Sequence, residues 1–156
     1  MSQALNPITG IATATFGAGC FWGAEAAFRA LPGVLESRVG YAAEAADGAL
    51  QIEVVQVDFD PRRVSYTALI EHFWGLHDPT SVDRQGEHGG AKYRSAIFYT
   101  DAEQAEQARV AKVALQASAR LNKPVATLIL PLGRFDLADE EHQRYLEKNG
   151  LSSCSV

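Results

Sequence analysis

The spacing of apolar side chains along the chain predicts a mixture of strands and helices. Residues 52–59 carry the clearest strand pattern, because the odd-numbered positions from Val55 onwards are apolar and alternate with mainly polar ones. In residues 21–31 the apolar spacing is helical, and Pro32-Gly33 ends that helix. The same patterns predict further strands at 11–16, 34–41, 94–99 and 125–130, and further helices at 66–76, 101–121 and 140–148.

Two of these helices have recognisable start signals. Ser65 can act as an N-cap, and Thr100 with Glu103 forms a capping box. Because strands and helices are mixed and begin with a β-α-β unit, we predict an α/β fold, a two-layer sandwich with helices packed on a sheet. The 156 residues suit a single domain, 1–156, with a short arm at 1–10 and a tail at 150–156.

The composition argues against several classes of protein. Hydrophobic residues make up 47% and charged residues 21%, as in globular rather than disordered or fibrous chains. The net charge is −5 and there is no basic tract, so binding to nucleic acid or to a membrane surface is not expected. Residues 1–10 resemble no secretion signal, and two cysteines are too few for a disulfide scaffold, so a cytoplasmic protein is expected.

Cys20 is the first candidate for chemistry. It follows Gly17 and Gly19 at the predicted junction of a strand and a helix, where unpaired amides and the helix dipole stabilise a thiolate. By position alone, a buried structural cysteine is an equally good interpretation. The glycines also resemble a dinucleotide-binding turn, but Phe21 and Trp22 fill its interior and the chain is too short for a second nucleotide-binding half.

Four other positions could serve such a thiol. Phe21 and Trp22 adjoin it, and because neighbouring helix positions point about 100° apart, one ring is expected to line a surface pocket. Glu53 lies on the apolar face of its strand, where desolvation would raise its pKa towards the range of a general acid, unless it reaches solvent at the start of the strand. Cys154, in a polar tail, is either a resolving thiol or incidental.

The polar segment 77–93 is long enough to be a functional loop. It contains several potential metal ligands: His77, Asp78, Glu87 and His88. Their spacing matches no recognised site, so no metal is expected. The other two histidines, His72 and His142, fall on predicted helices and are expected at their surfaces.

One heptapeptide and several shorter motifs are together highly specific. The heptapeptide is Gly17-Ala18-Gly19-Cys20-Phe21-Trp22-Gly23, followed by Glu25. The shorter motifs, in order, are Leu31-Pro32-Gly33-Val34, Gly40-Tyr41, Glu53-Val54-Val55, Asp60-Pro61, His77-Asp78-Pro79-Thr80, Arg84-Gln85-Gly86, Tyr93 to Tyr99, His142-Gln143 and Tyr145-Leu146. With this set the chain closely resembles the peptide methionine sulfoxide reductase A family.

The resemblance implies a ferredoxin-like sandwich that reduces the S-epimer of methionine sulfoxide, free or in proteins, with no cofactor. It implies that Cys20 is the nucleophile, that Phe21 and Trp22 hold the sulfoxide methyl group, and that Glu53 and Tyr93 act at the sulfoxide oxygen. Cys154 falls where many members keep a resolving cysteine, which thioredoxin or another dithiol regenerates. A monomer is expected.

The sequence departs from the family near this site. Segment 42–52 is shorter than usual and lacks a tyrosine that contacts the sulfoxide oxygen, and Lys92 replaces a glutamine. Glu87 and His88, which we assign to substrate binding, replace an Asn-Asp pair. Loss of one phenol costs roughly 1–3 kcal/mol, or one to two decades in rate, so thiol chemistry is expected to survive.

We therefore predict a thiol-dependent reductase of methionine S-sulfoxide, free or in proteins. Thiolate attack on a sulfoxide needs a proton donor at the departing oxygen, which Glu53 and Tyr93 would provide. Two alternatives stay open: a divergent member that reduces a different small sulfoxide, and a redox-sensing or binding module built on Cys20 and Cys154.

Overall fold

The apolar and polar periods of the sequence become strands and helices in the order in which they occur. A computed structural model describes residues 10–19, 21–44, 51–81, 84–85, 88–89, 93–118 and 121–149, with the backbone alone at 44, 84–85 and 88–89. The strands are β1 (Ala12–Gly17), β2 (Val34–Glu44), β3 (Ile52–Phe59), β4 (Arg84–Gln85), β5 (His88–Gly89), β6 (Ala96–Tyr99) and β7 (Leu128–Leu137). The helices are α1 (Phe21–Arg29), α2 (Tyr66–Trp74), α3 (Ala102–Ala117) and α4 (Tyr145–Lys148), with a 3₁₀ turn at Glu140–His142. Within this described part, no helix is long and apolar enough to cross a lipid bilayer.

Five strands form one mixed sheet in the order β1-β3-β2-β7-β6, and β6 pairs in turn with β1, so that hydrogen bonding closes the sheet into a ring. Only β6 and β7 are parallel, and α3 connects them. The predicted mixed α/β fold is confirmed. The finer expectation of a ferredoxin-like two-layer sandwich is not confirmed, because β6 bonds to both β1 and β7 and closes the ring.

The ring has two apolar sides. The outer side of the closed sheet packs against α1, α2 and α3. On this side the phenyl group of Phe16 stacks on those of Phe28 and Phe73, with centroids 5.1 Å apart in both pairs. A smaller cluster, which includes Val54 and Phe98, lies on the opposite side. Since neighbouring residues of a strand point to opposite faces, Glu53 lies on the helix-covered face of β3.

One predicted helix start is confirmed and the other is displaced by a residue. The side chain of Ser65 accepts a hydrogen bond from the Ala68 amide at 3.0 Å, as an N-cap does. The capping box at Thr100 is wrong, because Asp101 caps α3 through the Gln104 amide at 2.8 Å. Gln104 is fully buried, and its side-chain amide donates to the Thr13 carbonyl oxygen at 2.9 Å. This tertiary contact turns Gln104 inward and so determines where α3 begins.

The C-terminal elements differ most from their predictions. The strand predicted at 125–130 begins at Leu128 and runs to Leu137, because β2 supplies a pairing partner beyond residue 130. The helix predicted at 140–148 is interrupted at Arg144, whose backbone is left-handed with φ 51° and ψ 43°. Beside this break, the Gln143 side chain bonds the amide and the carbonyl of Val39 at 2.8 and 2.9 Å, which holds the segment against β2.

His77 connects the end of α2 to the start of β6. Its Nδ1 donates to the Phe73 carbonyl oxygen at 2.9 Å, so Nε2 accepts from the Ser95 hydroxyl at 2.6 Å. Burial lowers the pKa of His77 to about 4, although the hydrogen bond to Phe73 opposes this shift. His77 is therefore a neutral structural bridge at neutral pH.

This bridge makes the fold sensitive to acid. The unfolded imidazole takes up a proton near pH 6.5 and the folded one only near pH 4, so acidification between these values favours the unfolded chain. Up to about 3 kcal/mol of stability is lost across this window. We expect chemical denaturation of His77→Gln to show a smaller loss of stability from pH 7 to 4 than wild type, with carboxylate contributions common to both. Equal losses in the two proteins would contradict the assignment.

Candidate active site

The N-terminus of α1 faces a buried carboxyl group. The amide nitrogen of Phe21, the first residue of the helix, donates to Glu53 Oε1 at 3.3 Å. Glu53 is 6% exposed, as expected from its place on the apolar face of β3. The first amides of a helix have no partner within the helix, so the carboxyl group satisfies one of them at the positive end of the helix dipole.

The end of β1 is packed against the backbones of two other segments. A Cβ atom at Gly17 would lie 2.9 Å from Ile52 Cγ2 and 3.1 Å from the carbonyl oxygen of Arg94, so a larger residue would force these neighbours to shift. Gly19, with φ 85°, then turns the chain into α1. This close packing brings β1, β3 and the segment containing Tyr93 to one place at the start of α1.

Several candidate residues are not located. Cys20, Glu87 and Cys154 lie outside the described residues, although Gly19 and Phe21 on either side of Cys20 are described. His88 is described by its backbone alone, which pairs with Gln85 in the β4–β5 hairpin. Tyr93 is half-buried, three residues before β6. The structure therefore brings together Phe21, Trp22 and Glu53 of the predicted set.

Trp22 is held by two side chains from the C-terminal region. Its Nε1 donates to His142 Nδ1 at 3.2 Å, and its ring stacks on Tyr145 with centroids 3.8 Å apart and planes within 10°. Trp22 is half-buried, whereas Phe21 is buried, so the two adjacent rings do point in different directions. The indole orientation is set by residues about 120 positions away in the sequence.

Phe21 completes an aromatic group around the start of α1. The centroid of its ring lies 5.6 Å from the ring centroids of both Tyr41 and His142. Tyr41 is the direct cross-strand partner of Glu53, so the phenol and the carboxyl group project from the same face of the sheet. Apolar walls beside a carboxyl group and a helix N-terminus suit a ligand that has an apolar group and an atom that gains negative charge.

Sequence reasoning missed three members of this group. The expectation that His142 lies at a helix surface is wrong, because the left-handed turn at Arg144 directs this segment towards α1. Tyr41 and Tyr145 received no role. All three belong to the short motifs Gly40-Tyr41, His142-Gln143 and Tyr145-Leu146, and that membership was the signal available to find them.

Metal ligands are not assembled in the part of the chain that the structure describes. No group of three or more His, Cys, Asp or Glu side chains there could hold an ion. His72, the remaining histidine, places Nε2 3.0 Å from the carbonyl oxygen of Ala27 and so joins α2 to α1.

The bond from Trp22 to His142 can be tested by fluorescence. Its loss in His142→Ala removes about 1 kcal/mol, which raises the population of displaced indole about five-fold. We expect stronger acrylamide quenching of Trp22, measured in a Trp74→Phe background because the chain has two tryptophans. The exposed neighbour Glu141 supplies the matched control, Glu141→Ala, and identical quenching in the two variants would contradict the role of His142.

Comparison with known proteins gives a consistent result. The family model described as peptide methionine sulfoxide reductase matches residues 12–156. The protein named peptide methionine sulfoxide reductase MsrA from Acidobacterium capsulatum is 44% identical in an alignment of 156 positions, which covers 94% of this chain and all of the relative. The protein of the same name from Methanoculleus marisnigri is 43% identical in an alignment of 160 positions, which covers 96% of this chain and 98% of the relative.

Solved structures resemble this fold over nearly its whole length. Methionine sulfoxide reductase A of Corynebacterium diphtheriae superposes with a TM-score of 0.82 at 32% identity, covering 99% of this chain and 85% of its own. The reduced form of Mxr1 from Saccharomyces cerevisiae gives 0.84 at 28% identity, with coverages of 94% and 90%. Mxr1 in complex with Trx2 gives 0.67 at 26% identity, with coverages of 92% and 90%. The match from residue 12 to residue 156, together with relatives more than 40% identical along most of the sequence, shows that the chain belongs to the peptide methionine sulfoxide reductase family.

Proposed function

We propose that this protein reduces methionine S-sulfoxide, free or in polypeptides, with Cys20 as the nucleophile. The observation that carries the proposal is the hydrogen bond from the Phe21 amide to the buried Glu53 carboxyl group, which lies beside an aromatic group. Phe21 directly follows Cys20 in the sequence. Membership of the family supports the same reaction. The activity is thiol-dependent, because the two electrons that reduce the sulfoxide come from cysteine sulfur.

The first step joins a thiolate to an electrophilic sulfur. The Cys20 thiolate attacks the sulfoxide sulfur while Glu53 gives a proton to the sulfoxide oxygen. The substrate S–O bond then breaks as the protonated oxygen is transferred to the Cys20 sulfur, which releases methionine and leaves Cys20 as a sulfenic acid. Thiolate, sulfoxide and proton thus give methionine and sulfenic acid: the substrate sulfur gains two electrons and the Cys20 sulfur loses two.

The aromatic side chains give this step its selectivity. Phe21 and Trp22 hold the methyl group, so that a chiral sulfoxide places its oxygen towards Glu53 in one epimer only. Tyr93 donates a hydrogen bond to that oxygen, where negative charge develops during attack. Glu87 and His88 contact the remainder of the substrate.

A second thiol completes the cycle. Cys154 attacks the sulfenic acid on Cys20, forming a disulfide and releasing water, and an external dithiol then reduces the disulfide. Thioredoxin is the proposed reductant, since the similar protein Mxr1 forms a complex with Trx2. We propose further that the chain acts as a single catalytic domain, as a monomer and in the cytoplasm.

The reaction is tested with the separated sulfoxide epimers of a methionyl peptide and dithiothreitol as reductant. Only the S-epimer should turn over, and Cys20→Ser should be inactive. Glu53→Gln should be slower by about 10²-fold or more, because the proton donor at the oxygen is lost. Single-turnover rates measured by chromatography of the methionyl product provide the comparison.

Glu106→Gln serves as the matched control for this substitution. Glu106 is an exposed residue of α3 whose carboxylate pairs with Arg109 at 3.7 Å, and its loss should leave the rate unchanged. Equal turnover of both epimers, or activity that survives in Cys20→Ser, would refute the proposed function.

The role of Cys154 is tested by intact mass after one equivalent of S-sulfoxide in the absence of reductant. The wild type should lose about 2 Da as an internal disulfide forms, whereas Cys154→Ser should gain about 16 Da as a sulfenic acid. The same mass change in both proteins would exclude Cys154 as the resolving thiol.

A further inference from the structure

Glu25 is a buried carboxylate that the proposed reaction does not use. It lies on α1 with 1% of its surface exposed. Its Oε1 accepts a hydrogen bond from the Arg144 amide at 2.6 Å, and its Oε2 accepts one from the Ser37 hydroxyl at 2.6 Å. Both partners are donors, so an ionised carboxylate, which only accepts, fits this place between α1, β2 and the C-terminal region.

The charge of Glu25 is compensated locally. Arg29, one turn further along α1, donates from Nη1 to the Ser37 hydroxyl oxygen at 3.1 Å, so Ser37 lies between the guanidinium and the carboxylate. Arg29 also places Nε 3.4 Å from Oε2 of Glu147 in α4. A buried carboxylate that was left without such partners would be strongly destabilising, which indicates that this arrangement is maintained as a unit.

The amide that Glu25 holds belongs to the sharpest turn of the C-terminal strap, which we define as residues 139–149. Arg144 is the one non-glycine residue with positive φ in the described parts of the chain, and this conformation is unfavourable for an L-residue. The turn separates the 3₁₀ turn that ends at His142 from α4, which starts at Tyr145. These two residues contact the Trp22 indole, His142 through Nδ1 and Tyr145 through its ring face.

Glu25 and Trp22 are neighbours on α1, because residues three apart lie on one face of a helix. The face that carries the Trp22 indole therefore also carries the carboxylate that fixes the turn supporting this indole. A cavity of about 160 Å³ is lined by Trp22, Glu25 and Arg144 among others. It offers room for the indole to move when the turn is released.

A second contact holds the strap independently of Glu25. The Gln143 side chain bonds the Val39 backbone in β2 and the Ala138 carbonyl oxygen at 2.9 Å. Gln143 fixes the strap against the sheet, whereas Glu25 fixes the turn against α1. Loss of Glu25 should therefore loosen the turn while the strap stays in place.

We propose that Glu25 is a specificity-determining positioning residue: by holding the Arg144 turn it fixes His142 and Tyr145 against Trp22 and so sets the size of the methyl-binding wall. This inference rests on the proposed function, because the wall matters only when Trp22 faces the sulfoxide methyl group. In this proposal Glu25 acts through the turn and not by contact with the substrate.

The test compares two substrates, the S-epimers of methionine sulfoxide and ethionine sulfoxide, which carry a methyl and an ethyl group on the sulfur. The quantity measured is the ratio of their kcat/KM values, methionine over ethionine. A fixed apolar wall discriminates one methylene by about 10-fold or more in kcat/KM, and this ratio does not depend on the fraction of enzyme that is folded. We expect Glu25→Ala to lower the ratio about five-fold, with stronger acrylamide quenching of Trp22 in the Trp74→Phe background. Glu25→Asp keeps the charge and the fold but is one methylene too short to reach the turn, and it should lower the ratio in the same direction.

Glu140→Gln is the matched control. Glu140 also belongs to the strap, but its carboxylate pairs with Lys148 at 2.8 Å within the strap and does not bond to α1, so selectivity should equal that of wild type. An unchanged ratio in Glu25→Asp, or an equal fall in Glu140→Gln, would overturn the inference while leaving the activity of the wild type intact. A wild type that does not reduce methionine S-sulfoxide would instead refute the proposed function.

Discussion

The hydrogen bond between the Phe21 amide and the Glu53 carboxyl group is the contact on which the geometry of the candidate site depends. It ties the first turn of α1 to β3, and the close packing at Gly17 holds the end of β1 against the same strand. The Glu53 carboxyl group is thus held at the N-terminus of α1, where the helix dipole favours negative charge.

The rest of the site depends on residues that are distant in the sequence. Trp22 and His142 are 120 positions apart, and Glu25 and Arg144 are 119 apart, yet each pair is in direct contact. The first helix therefore supplies one side of the candidate site and the C-terminal strap supplies the side chains that hold Trp22. Neither part can hold the indole alone, so the aromatic wall forms only after the chain ends have come together.

Local sequence patterns were sufficient where local interactions decide the structure. The strand at 52–59 was predicted to the residue, because its apolar periodicity is local, and of the two positions considered for Glu53 the buried one is confirmed. The start of α3 and the break at Arg144 were not predictable, since Gln104 bonds Thr13 and Gln143 bonds Val39 across long sequence separations. His142 was misplaced for the same reason: its position follows from that break, whereas the motif containing it indicated only that it matters.

The closed ring of five strands has a consequence for an enzyme that handles damaged polypeptides. Oxidised proteins often expose extended, partly unfolded segments, and an unpaired sheet edge is a template to which such segments add as an extra strand. Because β6 bonds to both β1 and β7, each of the five strands in the described ring has a neighbour on either side. Addition of a substrate segment as an extra strand to this five-stranded sheet is thereby disfavoured, and with it co-aggregation by that route.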